Sequence, residues 1–187
     1  MRGAEPAGAV LDANVLYSAF ARDVLLRLAA VHLFRPYWSE RIHEEWTRNL
    51  LADRPDLSPA SIARTRASMD AHFPYALVTG HEGLEEGFEE VARTDRHVAA
   101  AARTAGADYI VTHNVRDFPA DALHPHGIAA VTPDEFVRML VRQDAVSARA
   151  VLEVHRLGLH RPPLDPGAYR AAFILNGLSR SAALLWP

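Results

Sequence analysis

Four acidic residues stand where alternating strands and helices would gather them. Asp12 ends the apolar run Ala9-Val10-Leu11, Glu45 lies on a helix opened by Ser39, Asp95 sits in the first turn of another helix, and Asp117 follows the apolar run 109–112. If the strands are parallel, all four reach the carboxyl edge of one sheet, where open α/β sheets bind their ligands. Two carboxylates ~4 Å apart repel by about 4 kcal/mol at an effective dielectric of about 20. Such a cluster protonates, spreads apart or binds a cation. Oxygen donors without a thiolate partner suit Mg2+ or Mn2+. A site of that kind activates water and stabilises in-line attack at phosphorus, the chemistry of metal-dependent nucleases.

Each acid taken alone has an ordinary role. Asp12 or Asn14 caps the helix that follows, Asp95 complements a helix dipole, Glu45 is a solvated helix residue, and Asp117 forms a turn. Their joint placement on one sheet edge is what points to chemistry. The 10 histidines do not make a zinc site. His43-Glu44-Glu45-Trp46-Thr47 carries Thr where the zincin motif needs its second His, and His124 and His126 lack an evident third ligand. His97 and His113 flank the acids and read as solvated or singly hydrogen-bonded rings. Arg22, Arg27, Arg41 and Arg48 read mostly as solvated surface.

The elements that must position these residues alternate. Strands are expected at 9–11, 33–38, 75–79, 109–112 and 127–131. A helical spacing follows Asn14 as far as Val31, and Ser39, Ser58-Pro59, Thr94-Asp95 and Thr132-Pro133 open further helices. Gly106 ends the helix that Asp95 starts. This order predicts an α/β three-layer sandwich with a mostly parallel central sheet. After residue 143 the pattern changes to helices at 146–157 and 165–176 around a proline-bearing loop. Residues 1–8 read as a loose tail.

Composition narrows the chemistry. The 187 residues carry 20 basic and 23 acidic side chains, a net charge of −3, and no cysteine. Disulfides, zinc–thiolate sites and cysteine nucleophiles are excluded. All 20 basic residues are arginine, which closes every lysine-dependent route, from Walker-A nucleotide binding to Schiff bases. Nucleic acid would have to be held by a local arginine patch, because the net field repels it. No apolar run reaches the ~20 residues of a membrane span. The expectation is a cytoplasmic protein without a membrane partner.

The sequence resembles the PIN-domain ribonucleases, and in particular the VapC-type toxins of toxin–antitoxin pairs. The resemblance rests on Val10-Leu11-Asp12-Ala13-Asn14-Val15-Leu16, on Ser39-Glu40-Arg41-Ile42-His43-Glu44-Glu45-Trp46, on Asp95-Arg96-His97-Val98-Ala99-Ala100-Ala101, and on Ile110-Val111-Thr112-His113-Asn114-Val115-Arg116-Asp117-Phe118. These four segments keep the family's order across roughly residues 9–141. The resemblance implies that Asp12, Glu45, Asp95 and Asp117 ligate Mg2+ or Mn2+ for hydrolysis of RNA. Glu45 is chosen over its neighbour Glu44 because it directly precedes Trp46 and lies three residues after Ile42, as the family's acid does. Asn114 could share the fourth position. Thr112 resembles the hydroxyl at the strand end, and Asn14, Arg96, Thr112, Asn114 and Arg116 are the candidate substrate contacts. A cognate antitoxin and a homodimer are the implied protein partners. Residues 1–143 would form the nuclease domain, and 144–187 a helical C-terminal extension of a longer subgroup. Two other functions remain in play, a non-catalytic scaffold that binds RNA or protein and a metal phosphohydrolase acting on another phosphoester.

Overall fold

The computed structural model describes residues 5–160 and 162–186, so the first four residues of the expected tail lie outside the described residues. Five strands, β1 (Gly8–Leu11), β2 (Arg35–Ser39), β3 (Leu77–Val78), β4 (Tyr109–Val111) and β5 (Ala129–Val131), form one sheet in the order β3-β2-β1-β4-β5. Every pairing is parallel, and Val10 at the centre lies level with Tyr37 and Ile110. β1 is buried along its whole length, which is why it reads as an unbroken apolar run and not as an alternating one. Gly8 belongs to this strand, not to a tail. A Cβ there would stand 3.0 Å from the Tyr37 ring and 3.2 Å from the Ala107 backbone.

Among the described residues ten α-helices surround the sheet: α1 (Ala13–Leu16), α2 (Ala19–Ala30), α3 (Glu40–Asp53), α4 (Pro59–His72), α5 (Arg96–Ala105), α6 (Ala120–Leu123), α7 (Pro133–Gln143), α8 (Ala145–Gly158), α9 (Pro166–Leu175) and α10 (Ser179–Leu185). α2 and α3 pack on β2, α4 packs on α3, and α5 packs across β1, β2, β3 and β4, giving the expected layered α/β architecture. The caps read from sequence are present. The hydroxyls of Ser39, Ser58 and Thr132 accept from the backbone N–H of Ile42, Ser61 and Glu135.

Several boundaries differ from expectation. The helix expected to run on from Asn14 breaks at Tyr17–Ser18, because the Ser18 hydroxyl accepts from Ala21 N–H at 3.2 Å and starts α2 afresh. The strand expected at 75–79 shortens to β3, and short 3-10 turns occupy Glu82–Gly87, Val115–Asp117 and His124–His126. Arg22 is not solvated. It is 6% exposed, stacks 5.0 Å over the Trp46 ring and donates to the Leu16 carbonyl at 2.6 Å.

The C-terminal helices share the central core. Leu152, Tyr169, Phe173, Leu178, Ala182 and Leu185 are buried in the same apolar cluster as the strands. α7 packs Phe136 edge-on against Phe34 at 4.9 Å. α8 lies on α2 and α7, and α10 lies on α7 and α9. A helix at 179–185 was not foreseen. Asp134 of α7 creates its start by accepting from Arg180 N–H at 3.0 Å and Ser181 N–H at 2.8 Å. No described helix is long and apolar enough to cross a membrane.

Candidate active site

Chain order reverses between β1 and β4. The chain leaves β1 toward β2 on one side and β4 toward β5 on the other, so a crevice opens at the carboxyl ends of these two strands. Asp12 lies directly after β1 and Thr112 directly after β4. The Asp12 carboxylate is fixed on both oxygens: Oδ1 accepts from Ala13 N–H at 2.7 Å, and Oδ2 accepts from Asn14 Nδ2 and the Thr112 hydroxyl, each at 2.7 Å. Asn14 also donates to Thr112 Oγ1 at 3.0 Å and accepts from His113 N–H at 3.0 Å, while Thr112 Oγ1 accepts from Asn114 N–H at 3.0 Å. The polar groups of Asn14 and Thr112 are therefore committed to holding Asp12.

An open cleft of ≈ 480 Å³ has Asp12, Asn14, Glu45, Asp95 and Asn114 in its lining. Burial pushes the Asp12 carboxyl up. The bonds from Thr112 and Ala13 partly offset this, and the charges of Asp95 and Glu45 add to it. Asp95 is half-buried at the N-cap of α5 but makes no side-chain cap bond, so its carboxylate is not consumed by the helix. It too is raised, first by burial and then by the charges of Asp117 and Glu45, against lowering by Thr94 and His97. Glu45 behaves oppositely. Burial raises it, but His97 and Arg41 outweigh burial and hold it below its ordinary value. Glu45 Oε1 stands 3.2 Å from His97 Nε2 and 3.4 Å from Arg41 Nε. Glu44, its neighbour, points to solvent.

The remaining expected residues fall elsewhere. Asp117 closes the 3-10 turn Val115–Asp117. It reaches Asp95 through its charge but does not line the cleft. Arg96 straps the preceding segment, donating to the carbonyls of Val91 at 3.2 Å and Glu89 at 2.8 Å. Arg116 is exposed on its turn and also stays out of the lining. His97 departs furthest from expectation, being 0% exposed instead of solvated. Neither of its ring nitrogens meets a partner in hydrogen-bond alignment, so the 3.2 Å approach to Glu45 is an off-axis contact.

Sequence reasoning missed three polar residues of the cleft lining, Tyr17, Asn49 and Asp53. Tyr17 OH donates to Asp53 Oδ2 at 3.0 Å. Asn49 and Asp53 follow Glu45 at successive intervals of four, so the helical period of α3 was the available signal.

Among the described residues, no three His, Cys, Asp or Glu side chains stand close enough to hold a metal ion as placed. The donor set nonetheless suits a hard divalent cation. It is all oxygen, and two of its carboxyls, Asp12 and Asp95, are raised partly by the charge of Glu45. Mg2+ retains several waters and commonly takes only one or two protein carboxylates, so a closed cage is not required.

Comparison with known proteins adds independent information. The PIN domain family matches residues 8–116, more than half of the chain. The chain is also 54% identical over 72 residues to a Mycobacterium tuberculosis (strain ATCC 25618 / H37Rv) protein named "Putative ribonuclease VapC50". That match covers 38% of this chain and 40% of the relative's length. No solved structure matches the chain significantly.

Proposed function

Because this chain belongs to the PIN-domain family, we propose that it is a metal-dependent endoribonuclease, the toxin of a toxin–antitoxin pair. The observation that carries this reading is the meeting of Asp12, Glu45 and Asp95, from three separate elements, in one cleft at the topological switch point. The similarity to a protein named as a VapC ribonuclease supports the toxin assignment and RNA as substrate; a cognate antitoxin and a homodimer are the protein partners this reading proposes. In this reading residues 1–143 form the nuclease unit, and 144–187 are its helical extension.

Asp12, Glu45 and Asp95 would hold Mg2+ or Mn2+, with Asp117 adding its charge behind Asp95 and Asn114 lining the same cleft. When bound, the ion supplies activation of water and stabilisation of the charge developing at phosphorus. The protein's own part is positioning. Ala13 N–H, Asn14 and Thr112 lock the Asp12 carboxylate in one orientation. His97 and Arg41 keep Glu45 ionised. Asp95, uncommitted to its helix, remains available to the cleft.

Single-turnover cleavage of a panel of structured RNAs with Mg2+ or Mn2+ tests the proposal against Asp12→Asn. The substitution keeps shape and removes one anionic ligand, so cleavage should fall by orders of magnitude while the fold persists. Cleavage unaffected by Asp12→Asn would remove this cleft from the reaction. If neither protein cleaves, thermal melting separates a metal enzyme from a scaffold. Mn2+ should raise the melting temperature of the wild type and not of Asp12→Asn.

A further inference from the structure

Arg138 and Arg142 stand one turn apart on α7, Arg180 opens α10, and all three line a shallow concavity of ≈ 410 Å³ together with Ala183 and Leu184. Arg149 of α8 reaches the same place, where its Nη2 donates to the Leu184 carbonyl at 3.3 Å. Elsewhere Arg35, Arg41, Arg54, Arg66 and Arg156 each sit on a carboxylate. Among the described residues, Arg138, Arg142 and Arg180 have no such partner for their guanidinium groups. The nearby acids do not neutralise them. Asp134 is buried and spent on the start of α10, accepting from Arg180 N–H, Ser181 N–H and the Ser181 hydroxyl. Glu135, one turn before Arg138, forms no ion pair with it. A chain of net charge −3 thus gathers positive charge where two packed helices meet.

The helix that carries two of the patch arginines, α7, starts at the carboxyl edge of the sheet. The Val131 carbonyl accepts from Thr112 N–H at 3.0 Å, and Thr112 holds Asp12. α7 begins two residues after Val131, and Asp134 in its first turn fixes the backbone of Arg180. From there Arg138 and Arg142 descend α7, separated by about 6 Å of helix rise.

We propose that this patch binds the phosphate backbone of the RNA cut in the cleft, so that α7 and the C-terminal helices hold the strand away from the scissile bond. The inference rests on the nuclease reading above. Guanidinium forks match phosphate oxygens, and contacts of this kind fix position without reading sequence. The floor offers only Ala183 and the partly buried Leu184. It lacks the deep apolar pocket in which a peptide's anchor side chain would seat.

Fluorescence anisotropy of the whole chain with a labelled 20-nucleotide unstructured RNA, in EDTA to prevent cleavage, tests this. Arg138→Gln/Arg142→Gln/Arg180→Gln should weaken binding at least tenfold at low salt. The slope of log K against log[salt] should become shallower by about 2, because each lost single-strand phosphate contact removes about 0.7. The exposed single variant Arg142→Glu should move both quantities the same way, which guards against a misfolded triple variant. An unchanged affinity and slope in both variants, or no RNA binding by the wild type, overturns the proposal. It is also overturned if an acidic 20-residue peptide loses binding to the triple variant while the RNA does not, which assigns the patch to a protein partner. Cleavage by Asp12→Asn, measured in parallel, separates the two readings. Loss of cleavage with intact variant RNA binding retires the patch and keeps the cleft. Intact cleavage with weakened variant binding does the reverse.

Discussion

Glu45 depends on a side chain that the sequence hides. His97 lies two residues after Asp95 on α5, is wholly buried, and brings Nε2 to 3.2 Å from Glu45 Oε1. Its Nδ1 has no partner, and leaving a buried polar atom unmatched costs about 1–3 kcal/mol. The carboxylate that this buried ring faces is Glu45. Removal of such a supporting group typically weakens metal binding by about 10- to 100-fold. His97→Leu should therefore lower Mn2+ affinity on that scale in calorimetry. His97→Gln, whose amide still reaches Glu45, should keep most of it. The melting temperature without metal should fall little in His97→Leu, because the unmatched ring nitrogen goes too; Mn2+ binding as tight as wild type in that variant would strike His97 from the site. Asp12 and Asp95 were legible as cleft residues because a strand end and a helix start announce them, and Glu45 only through the family resemblance of its segment. Asp117 was legible as an acid near the site but not as one outside the cleft lining. The backbone contacts of Arg96 could not be read from sequence, because its carbonyl partners on Val91 and Glu89 exist only once that segment has folded back.

At the scale of elements, the contacts that escaped sequence reading are the long-range ones. Strand β1 and the caps of α3, α4 and α7 are local events, decided by an apolar run or by a hydroxyl three residues before the N–H it accepts from. The helix α10 is decided by Asp134, which lies 47 positions before Ser181. Its carboxylate accepts two backbone N–H groups and the Ser181 hydroxyl, and so satisfies donors that a helix N-terminus otherwise leaves open. The same bonds seat α10 on α7 and bury Ala182 and Leu185. Asp134→Ala should cost about 2–3 kcal/mol, since it removes a cap and leaves buried donors unmatched. Urea denaturation measures that loss. Limited proteolysis should cut first within 176–186. A variant as stable as wild type would mean that apolar packing alone seats α10.

For the whole molecule, the balance of buried titratable groups sets how stability responds to acid. His43 is fully buried between Trp46, which donates to its Nδ1 at 2.9 Å, and Asp70 at 3.1 Å from its Nε2. Burial pulls its pKa below the ordinary 6.5 in spite of Asp70. His155, packed beside Tyr169 with Asp23 4.0 Å away, is likewise lowered by burial. Both rings stay neutral in the folded chain at a pH where the unfolded chain already takes up protons. Stability is then complete above about 6.5 and declines as pH falls through that value toward the lowered folded pKa, below which the loss stops growing. Asp12 and Asp95 act with the opposite sign. Their raised carboxyls make the metal-free fold gain stability on acidification, in a window that opens upward from the ordinary 3.8. The two effects separate most cleanly near neutrality, where the histidines dominate. Thermal melting of the metal-free protein should therefore fall between pH 7.5 and 5.5. His43→Gln keeps an amide donor for Asp70 but does not titrate, so it should lower the melting temperature overall while flattening that slope. An undiminished slope in His43→Gln would shift the acid sensitivity to His155 and the aromatic cluster beneath the C-terminal helices.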